Sequence, residues 1–300
     1  MIAITGTNGK TTTTTLTGEI MKAHFGKDKT FVVGNIGNPY TLEADKTSKD
    51  SVTVGEISSF QLETIHTFHP VVSAILNITP DHLNRHHTME AYVAAKEAVA
   101  SHQTKNDICV LNYDNDYTRD FAGRCPATPV LFSSHHELKN GYFLRGDKII
   151  KSVNGEETEL MDIHKDMNLV GLCNVENVMA AIAIAEGMQV PMETILTVIR
   201  GFHAWSTGSN SCGKRTASNI ITTPSPPARR GPSQSALVPP EARADRWSAT
   251  IRRSRFDALG PEICGHVRLL ILCARRRRRS KRPSALPRNI SRASRRSCTR

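Results

Sequence analysis

Residues 2–16 read I-A-I-T-G-T-N-G-K-T-T-T-T-T-L, and the fold class turns on this stretch. Ile2 to Thr5 has the apolar, partly β-branched character of a strand, and Lys10 opens a run of hydroxyl residues suited to the first turns of a helix. Between them, Gly6 and Gly9 let the backbone curl so that its N–H groups, with the positive end of the following helix, face an anion. A strand, a glycine turn, a lysine and a hydroxyl in that order make a phosphate-binding loop. Gly6, Thr7, Asn8, Gly9, Lys10, Thr11 and Thr12 would line it, with Lys10 on the β- and γ-phosphates and the Thr11 hydroxyl on Mg²⁺. The spacing is G-x-x-G-K-T, a short variant, because Ile4 stands where the longer form has its first glycine.

Outward from this loop, strands and helices alternate. Strands are expected at Thr30 to Val33, Ser51 to Glu56, Val71 to Leu76 and Ile108 to Asn112, and helices at Lys10 to His24 and Thr88 to His102. Val71 to Leu76 reads as a strand buried on both faces, as in a parallel sheet. From Val130 to Leu169, short alternating runs broken by Lys-Asn-Gly, Arg-Gly-Asp and Asn-Gly-Glu predict antiparallel hairpins added to that sheet. An Ala-rich helix follows from Asn174 to Gly187, and another from Pro191 to Arg200 with proline near its first turn. The class is α/β with a mainly parallel sheet and a small antiparallel hairpin region.

Composition divides the chain in two. Met1 to Ala204 carries 17 Lys+Arg against 24 Asp+Glu, a net −7, whereas Trp205 to Arg300 carries 22 against 4, a net +18. The basic pI of about 9.5 therefore belongs to the second part alone. All five Tyr and all eight Met precede Trp205, and nine of the fifteen Pro follow Ala204. Strong single-sign charge with few aromatics cannot bury enough apolar surface to offset the entropy of ordering. The expectation is one domain over 1–204 and a disordered Arg/Pro-rich tail over 205–300. Seven scattered Cys without a C-x-x-C pair suggest neither a zinc site nor a disulfide framework. No secretory signal or membrane span is legible, which points to the cytoplasm.

Open α/β sheets bind ligands on the loops that follow their strands, and several candidates fall there. Gly34-Asn35-Ile36-Gly37 is a turn whose glycines would let the backbone come close to a ligand. Glu56 ends a strand beside the phosphate loop, where a carboxylate can hold a metal on a nucleotide. His82, in Asn77-Ile78-Thr79-Pro80-Asp81-His82-Leu83, is either a metal ligand or a helix-capping neighbour of Asp81. Lys96, in Ala94-Ala95-Lys96 on a helix, reads from its surroundings as an ordinary solvated lysine.

The phosphate loop, Gly34 to Gly37, Glu56-Ile57-Ser58-Ser59-Phe60-Gln61-Leu62-Glu63, Asp81-His82 and Ala95-Lys96 occur in an order that resembles the central, ATP-binding domain of the Mur ligases of peptidoglycan synthesis. The S-S-F-Q-L-E and G-N-I-G runs are most similar to the D-glutamate-adding branch. The resemblance covers about Met1 to Ala204 and implies ATP as nucleotide, with UDP-N-acetylmuramoyl-L-alanine and D-glutamate as the substrates of an acyl-phosphate mechanism. It also implies two Mg²⁺ ions, with Thr11, Glu56 and His82 serving the metals. Lys96 corresponds to the family's carbamylated lysine, whose added CO₂ makes it an anionic metal ligand. Asn35 falls near the substrate carboxylate and phosphate. Asn174 and Asn177, in Leu172-Cys173-Asn174-Val175-Glu176-Asn177, match the family's G-x-H-N-x-x-N turn beside the adenine nucleotide, with Cys173 in place of its His. The expected state is a monomer, away from membranes.

The family also has an N-terminal UDP-binding domain and a C-terminal domain, and neither is legible here. Permissible codons for Trp205 to Ser225, regrouped after one restored G, encode V-E-H-R-I-E-F-V-R-K-K-D-G-V-K-Y-Y-N-D-S-K, which looks like the start of that C-terminal domain. Translation out of frame from Trp205 is therefore expected. Two other functional classes fit parts of the chain. A different ligase with the same loop, such as a folylpolyglutamate synthetase, would use folate and L-glutamate. A nucleic-acid-binding protein would use the tail around Arg275 to Arg279. That tail has 20 Arg to 2 Lys and no interleaved aromatics for stacking, so it is expected to bind nucleic acid only nonspecifically.

Overall fold

The computed structural model describes residues 1–36 and 38–203 and, beyond them, only the strand segments 210–215, 218–222 and 247–248. Residues 1–204 and 205–300 form separate compact units. In the first, β1 (Ile2–Thr5) leads through the glycine loop into α1 (Lys10–Phe25). There follow β2 (Thr30–Gly34), α2 (Tyr40–Glu43), β3 (Val52–Glu56), α3 (Ser59–Leu62) and β4 (Val72–Ile75). Next come α4 (Leu83–His86), α5 (Met89–Glu97), β5 (Ile108–Asn112), α6 (Asp116–Ala122) and β6 (Thr128–Ser133). The chain continues through β7 (Gly141–Arg145), β8 (Lys148–Val153), β9 (Glu156–Asp162) and α7 (Ile163–Asp166), then α8 (Leu172–Gly187) and α9 (Met192–Gly201).

The nine strands make one sheet in the order β2-β3-β1-β4-β5-β6-β7-β8-β9. Pairing is parallel from β2 across to β7 and antiparallel for β7–β8 and β8–β9. The chain thus lays β2 and β3 on one side of β1, then crosses to place β4 on the other. That reversal opens a crevice at the carboxyl end of β1, the position where parallel sheets bind ligands.

Strand alternation sorts the core into two layers. Ile2, Ile4, Ala74 and Val110 face Leu16, Ile20 and Met21 of α1 and Val178 and Ile182 of α8. Ala3, Ile75, Cys109 and Leu111 face the opposite layer, which holds Tyr92, Val93, Val99 and Phe121. Both faces of the central strands are therefore apolar, as the continuous runs in the sequence predict. The α/β class, the parallel sheet and the hairpin region agree with expectation.

Three expectations change in detail. The helix expected from Thr88 to His102 is α-helical only over Met89–Glu97 and tightens into a 3-10 turn at Ala98–Ala100. Thr88 caps its start, the hydroxyl accepting from Ala91 N–H at 3.2 Å. The strand expected from Val71 to Leu76 spans Val72–Ile75 and carries a polar residue, Ser73, whose hydroxyl donates to Gln103 Oε1 at 2.7 Å. Pro191 sits at the cap position of α9 rather than inside it.

In the second unit, β10 (Asn210–Arg215) pairs antiparallel with β11 (Ser218–Thr222), and β11 pairs parallel with β12 (Trp247–Ser248). Apart from those segments, the disorder expected for 205–300 concerns positions outside the described residues, as does Gly37. Among the described residues, no helix is long and apolar enough to cross a membrane.

Candidate active site at the sheet crossover

Four loops leave the carboxyl ends of β1, β2, β3 and β4 and meet at the crevice. The first is the glycine loop, with Gly6 at φ 147° and Gly9 at φ 84°. Gly9 is required sterically as well, since a Cβ there would lie 2.2 Å from Asn177 Oδ1. The loop is laced to the segment after β4. Thr7 N–H donates to Asn77 O at 2.9 Å, and Asn8 N–H donates to Asn77 Oδ1 at 2.9 Å. The Thr7 hydroxyl donates to Thr79 O at 3.1 Å and accepts from Thr79 N–H at 3.0 Å. Its remaining lone pair lies 3.1 Å from the Tyr92 hydroxyl.

Lys10, Asn35, His82 and Lys96 line one cavity of about 210 Å³, together with Gly6, Thr7, Ser58, Ser59, Phe60 and Tyr92. Lys10 Nζ folds back to donate to Gly6 O at 2.9 Å and Thr7 O at 3.1 Å. Lys96 Nζ donates to the same Gly6 O at 2.8 Å and lies 4.7 Å above the Tyr92 ring. Two ammonium groups therefore converge on one carbonyl oxygen. The reading of Lys96 as a solvated lysine is wrong, because it is only 2% exposed. Desolvation, assisted by the nearby Lys10 charge and opposed by Asp81, brings its pKa down to about 7. Burial also lowers the Lys10 pKa, with Glu56 and Asp81 opposing.

Glu56, the last residue of β3, is 2% exposed. Its Oε1 accepts from Asn35 Nδ2 at 3.0 Å, while its Oε2 is buried with no hydrogen-bond partner. A buried carboxylate oxygen without a partner is costly and is what a cation-binding position presents before its ion arrives. Glu56 acts on the charge of Lys10, and His82 lines the same cavity as Lys10; a bare carboxylate oxygen of this kind suits a hard cation such as Mg²⁺. The Gly34 turn closes on the backbone of this residue: a Cβ at Gly34, which has φ 104°, would lie 2.2 Å from Glu56 O. That close approach allows Asn35 N–H to donate to Glu56 O at 2.8 Å while its side chain holds Oε1.

His82 adopts a left-handed conformation with φ 52°, and its N–H donates to Asp81 Oδ1 at 2.8 Å. Its half-exposed ring lies 3.5 Å from Asp81 Oδ2 and edge-on to Phe60. Thr11 and Thr12 occupy the first turn of α1, half-buried. Asn174 and Asn177 are buried at the start of α8, with Asn177 beside Gly9, and α8 packs on the face of the sheet opposite Tyr92 and Val93 of α5. They bond to each other, Asn177 Nδ2 donating to Asn174 Oδ1 at 3.2 Å, and Asn174 Nδ2 donates to Val170 O at 2.8 Å. Sequence reasoning missed Asn77, Thr79 and Tyr92, which carry the lacing. The polar run at Asn77 to Thr79 directly after a buried strand was the available signal.

Residues 4–185 match the Mur ligase middle domain. The chain is similar to the UDP-N-acetylmuramoylalanine--D-glutamate ligase of Lachnospira eligens, with 54% identity over 204 residues, covering 68% of this chain and 45% of that protein. The enzyme of the same name from Lachnoclostridium phytofermentans is 56% identical over 200 residues, covering 67% and 43%. The chain therefore spans less than half the length of these curated relatives. Among solved structures, a UDP-N-acetylmuramoyl-L-alanyl-D-glutamate--2,6-diaminopimelate ligase superposes with TM-score 0.65 at 19% identity, covering 90% of this chain and 61% of that one. The UDP-N-acetylmuramate-alanine ligase of Thermotoga maritima gives 0.54 at 21% identity, covering 78% and 51%. On the strength of the middle-domain match and the crevice it folds around, this chain belongs to the Mur ligase family.

Proposed function

We propose that residues 1–204 form the nucleotide-binding and carboxylate-activating part of an ATP-dependent ligase that joins D-glutamate to UDP-N-acetylmuramoyl-L-alanine. The observation that carries this reading is the convergence of the Lys10 and Lys96 ammonium groups on Gly6 O, beside the partnerless Oε2 of Glu56. Two cations sharing one neutral acceptor favour an anion between them, and the glycine loop aims N–H groups at the same place. The names of the relatives supply the substrates.

In this reading the triphosphate lies along Gly6 to Thr12, with its adenine end toward Asn174 and Asn177 and its γ-phosphate in the cavity. Lys10 leaves its two carbonyls to take the γ-phosphate. Asn35 holds Glu56 and faces the acceptor carboxylate. A carboxylate oxygen of the muramoyl-alanine attacks the γ-phosphorus, and the bond to ADP breaks. The neutral amine of D-glutamate then attacks the acyl carbon, and phosphate leaves as the amide forms. Lys10 opposes the negative charge that accumulates when carboxylate and phosphate meet. Mg²⁺, held by Thr11, Glu56 and His82, would supply further charge neutralisation when bound. A Lys96 amine with its pKa near 7 is partly unprotonated at neutral pH. Its nitrogen can therefore add to CO₂, losing a proton to give a carbamate; this exchanges the second cation for one negative charge shared by two oxygens, which would complete the metal site.

Calorimetry on the 300-residue chain is the test. Mg·ATP is expected to bind, and both Lys10→Ala and Glu56→Ala should weaken binding by at least about tenfold, since each removes a charged contact. Absence of nucleotide binding in the wild-type chain, or unchanged affinity in both variants, overturns the assignment.

A further inference from the structure

We propose that His86 is a positioning residue that braces the cavity wall opposite the glycine loop, so that the wall meets the γ-phosphate end of the nucleotide. The proposal rests on the nucleotide reading above and concerns a residue outside the phosphate loop and the metal set. The His86 imidazole is 7% exposed and touches three residues that line the cavity. Its Nε2 lies 3.0 Å from Ser59 Oγ, its ring stacks on Phe60 with centroids 5.6 Å apart, and it tilts against Tyr92 at 5.0 Å. On the far side, Nδ1 lies 3.1 Å from Glu63 Oε1. The other oxygen of Glu63 is held by Arg85, whose Nη2 and Nε donate at 2.6 and 3.2 Å.

These contacts fix the ring completely. A carboxylate on Nδ1 requires the proton on that nitrogen, so Nε2 is left as an acceptor for the Ser59 hydroxyl. The chain Arg85–Glu63–His86–Ser59 runs between two separate segments, one that follows Glu56 at the end of β3 and one after β4 that carries His82. His86 is also tied to the second by its own backbone, His86 N–H donating to His82 O at 3.1 Å. The imidazole is thus the strut that sets the spacing of the two segments. Ser, His and a carboxylate in line suggest a nucleophile, but Ser59 is 3% exposed and the phosphoryl and acyl transfers proposed above need no nucleophile from the protein. Its hydroxyl serves instead to hold the wall.

The geometry predicts which ligand notices the strut. Asn174 and Asn177 lie on the other side of the loop from this wall, so ADP, which lacks the γ-phosphate, does not depend on it. Calorimetry with Mg·ATP and Mg·ADP on the 300-residue chain separates the possibilities. His86→Phe keeps the ring packing and removes both hydrogen bonds; it should weaken Mg·ATP roughly tenfold while leaving Mg·ADP within about twofold. His86→Gln, which restores an acceptor for Ser59, should recover most of the loss. Ser59→Ala removes the same hydrogen bond with less disturbance to the core and should reproduce the ATP-selective effect if His86→Phe fails to fold. Equal loss of both nucleotides in Ser59→Ala, or no loss of Mg·ATP in a folded His86→Phe, would overturn the proposal. A wild-type chain that binds neither nucleotide would instead remove the reading beneath it.

Discussion

Lys96 illustrates how one buried side chain can cost stability. Its ammonium sits beside Lys10 with a single carbonyl as acceptor, and its pKa falls from a free lysine's 10.5 to about 7. Between those values the unfolded chain holds the proton and the folded chain does not, so stability rises with pH across that window. The penalty is fully present below about pH 7 and is relieved as pH climbs toward 10.5. At about 1.4 kcal/mol for each tenfold change in proton affinity, it amounts to a few kcal/mol at most. Lys96→Met should therefore melt higher than wild type at pH 6, by roughly 4–8 °C, and that advantage should shrink steadily by pH 9. Thermal denaturation in CO₂-free buffer reads this directly, and an advantage constant across the range would show that the charge is not what costs. A helical lysine after two alanines gives no sign of this in sequence, because burial there depends on which face of α5 meets Gly6. The glycine turn from β1 into α1 was legible for the opposite reason: Gly6, Gly9, Lys10 and Thr11 are specified by backbone geometry within a few residues.

At the level of elements, the crevice is built by contacts between segments far apart in sequence, and one of these joins the glycine loop to α8. Gly9 is left-handed, and its missing Cβ leaves space for the Asn177 amide. In Gly9→Ala the left-handed backbone alone costs roughly 1–2 kcal/mol, and the amide must also move. We expect a lower melting temperature and a loss of nucleotide affinity. Asn177→Ala added to Gly9→Ala should restore part of the stability by vacating the space, and a Gly9→Ala chain that melts like wild type would refute the coupling. Element existence was largely readable, since β1, β3, β4 and β5 are short runs rich in apolar and β-branched residues and α8 is an Ala-rich stretch. The short helices were not. Ser59–Leu62, for example, is a single turn held by a capping box between Ser58 and Gln61, and so brief a helix has no hydrophobic period to detect. His86 escaped notice similarly, its role arising only when α4 folds over α3. The Gly34 turn was recognised, but its purpose, closeness to the Glu56 carbonyl, depends on β2 lying beside β3.

For the molecule as a whole, the boundary near Ala204 is the feature that needs a cause. The similarity to the Lachnospira eligens enzyme runs for 204 residues at 54% identity. Beyond Ala204 the charge swings from net −7 to net +18, and Tyr and Met vanish. A change of reading frame accounts for both observations, because it replaces a selected sequence with one set by the overlapping bases. Codons compatible with Trp205 to Ser225, after one added G, encode V-E-H-R-I-E-F-V-R-K-K-D-G-V-K-Y-Y-N-D-S-K, a sequence that mixes charges and aromatics as a folded domain does. The proposal is that one base was lost just before codon 205, and sequencing the encoding DNA across codons 195–230 from an independent template decides it. An extra G at that point, followed by an open frame with the V-E-H-R and N-D-S-K runs, is the expected result. Codons that keep Trp205 onward in frame, with bases incompatible with the regrouped peptide, would overturn it and make the basic segment a genuine part of the protein. In that event its +18 charge would call for a polyanionic partner, tested by the salt dependence of binding.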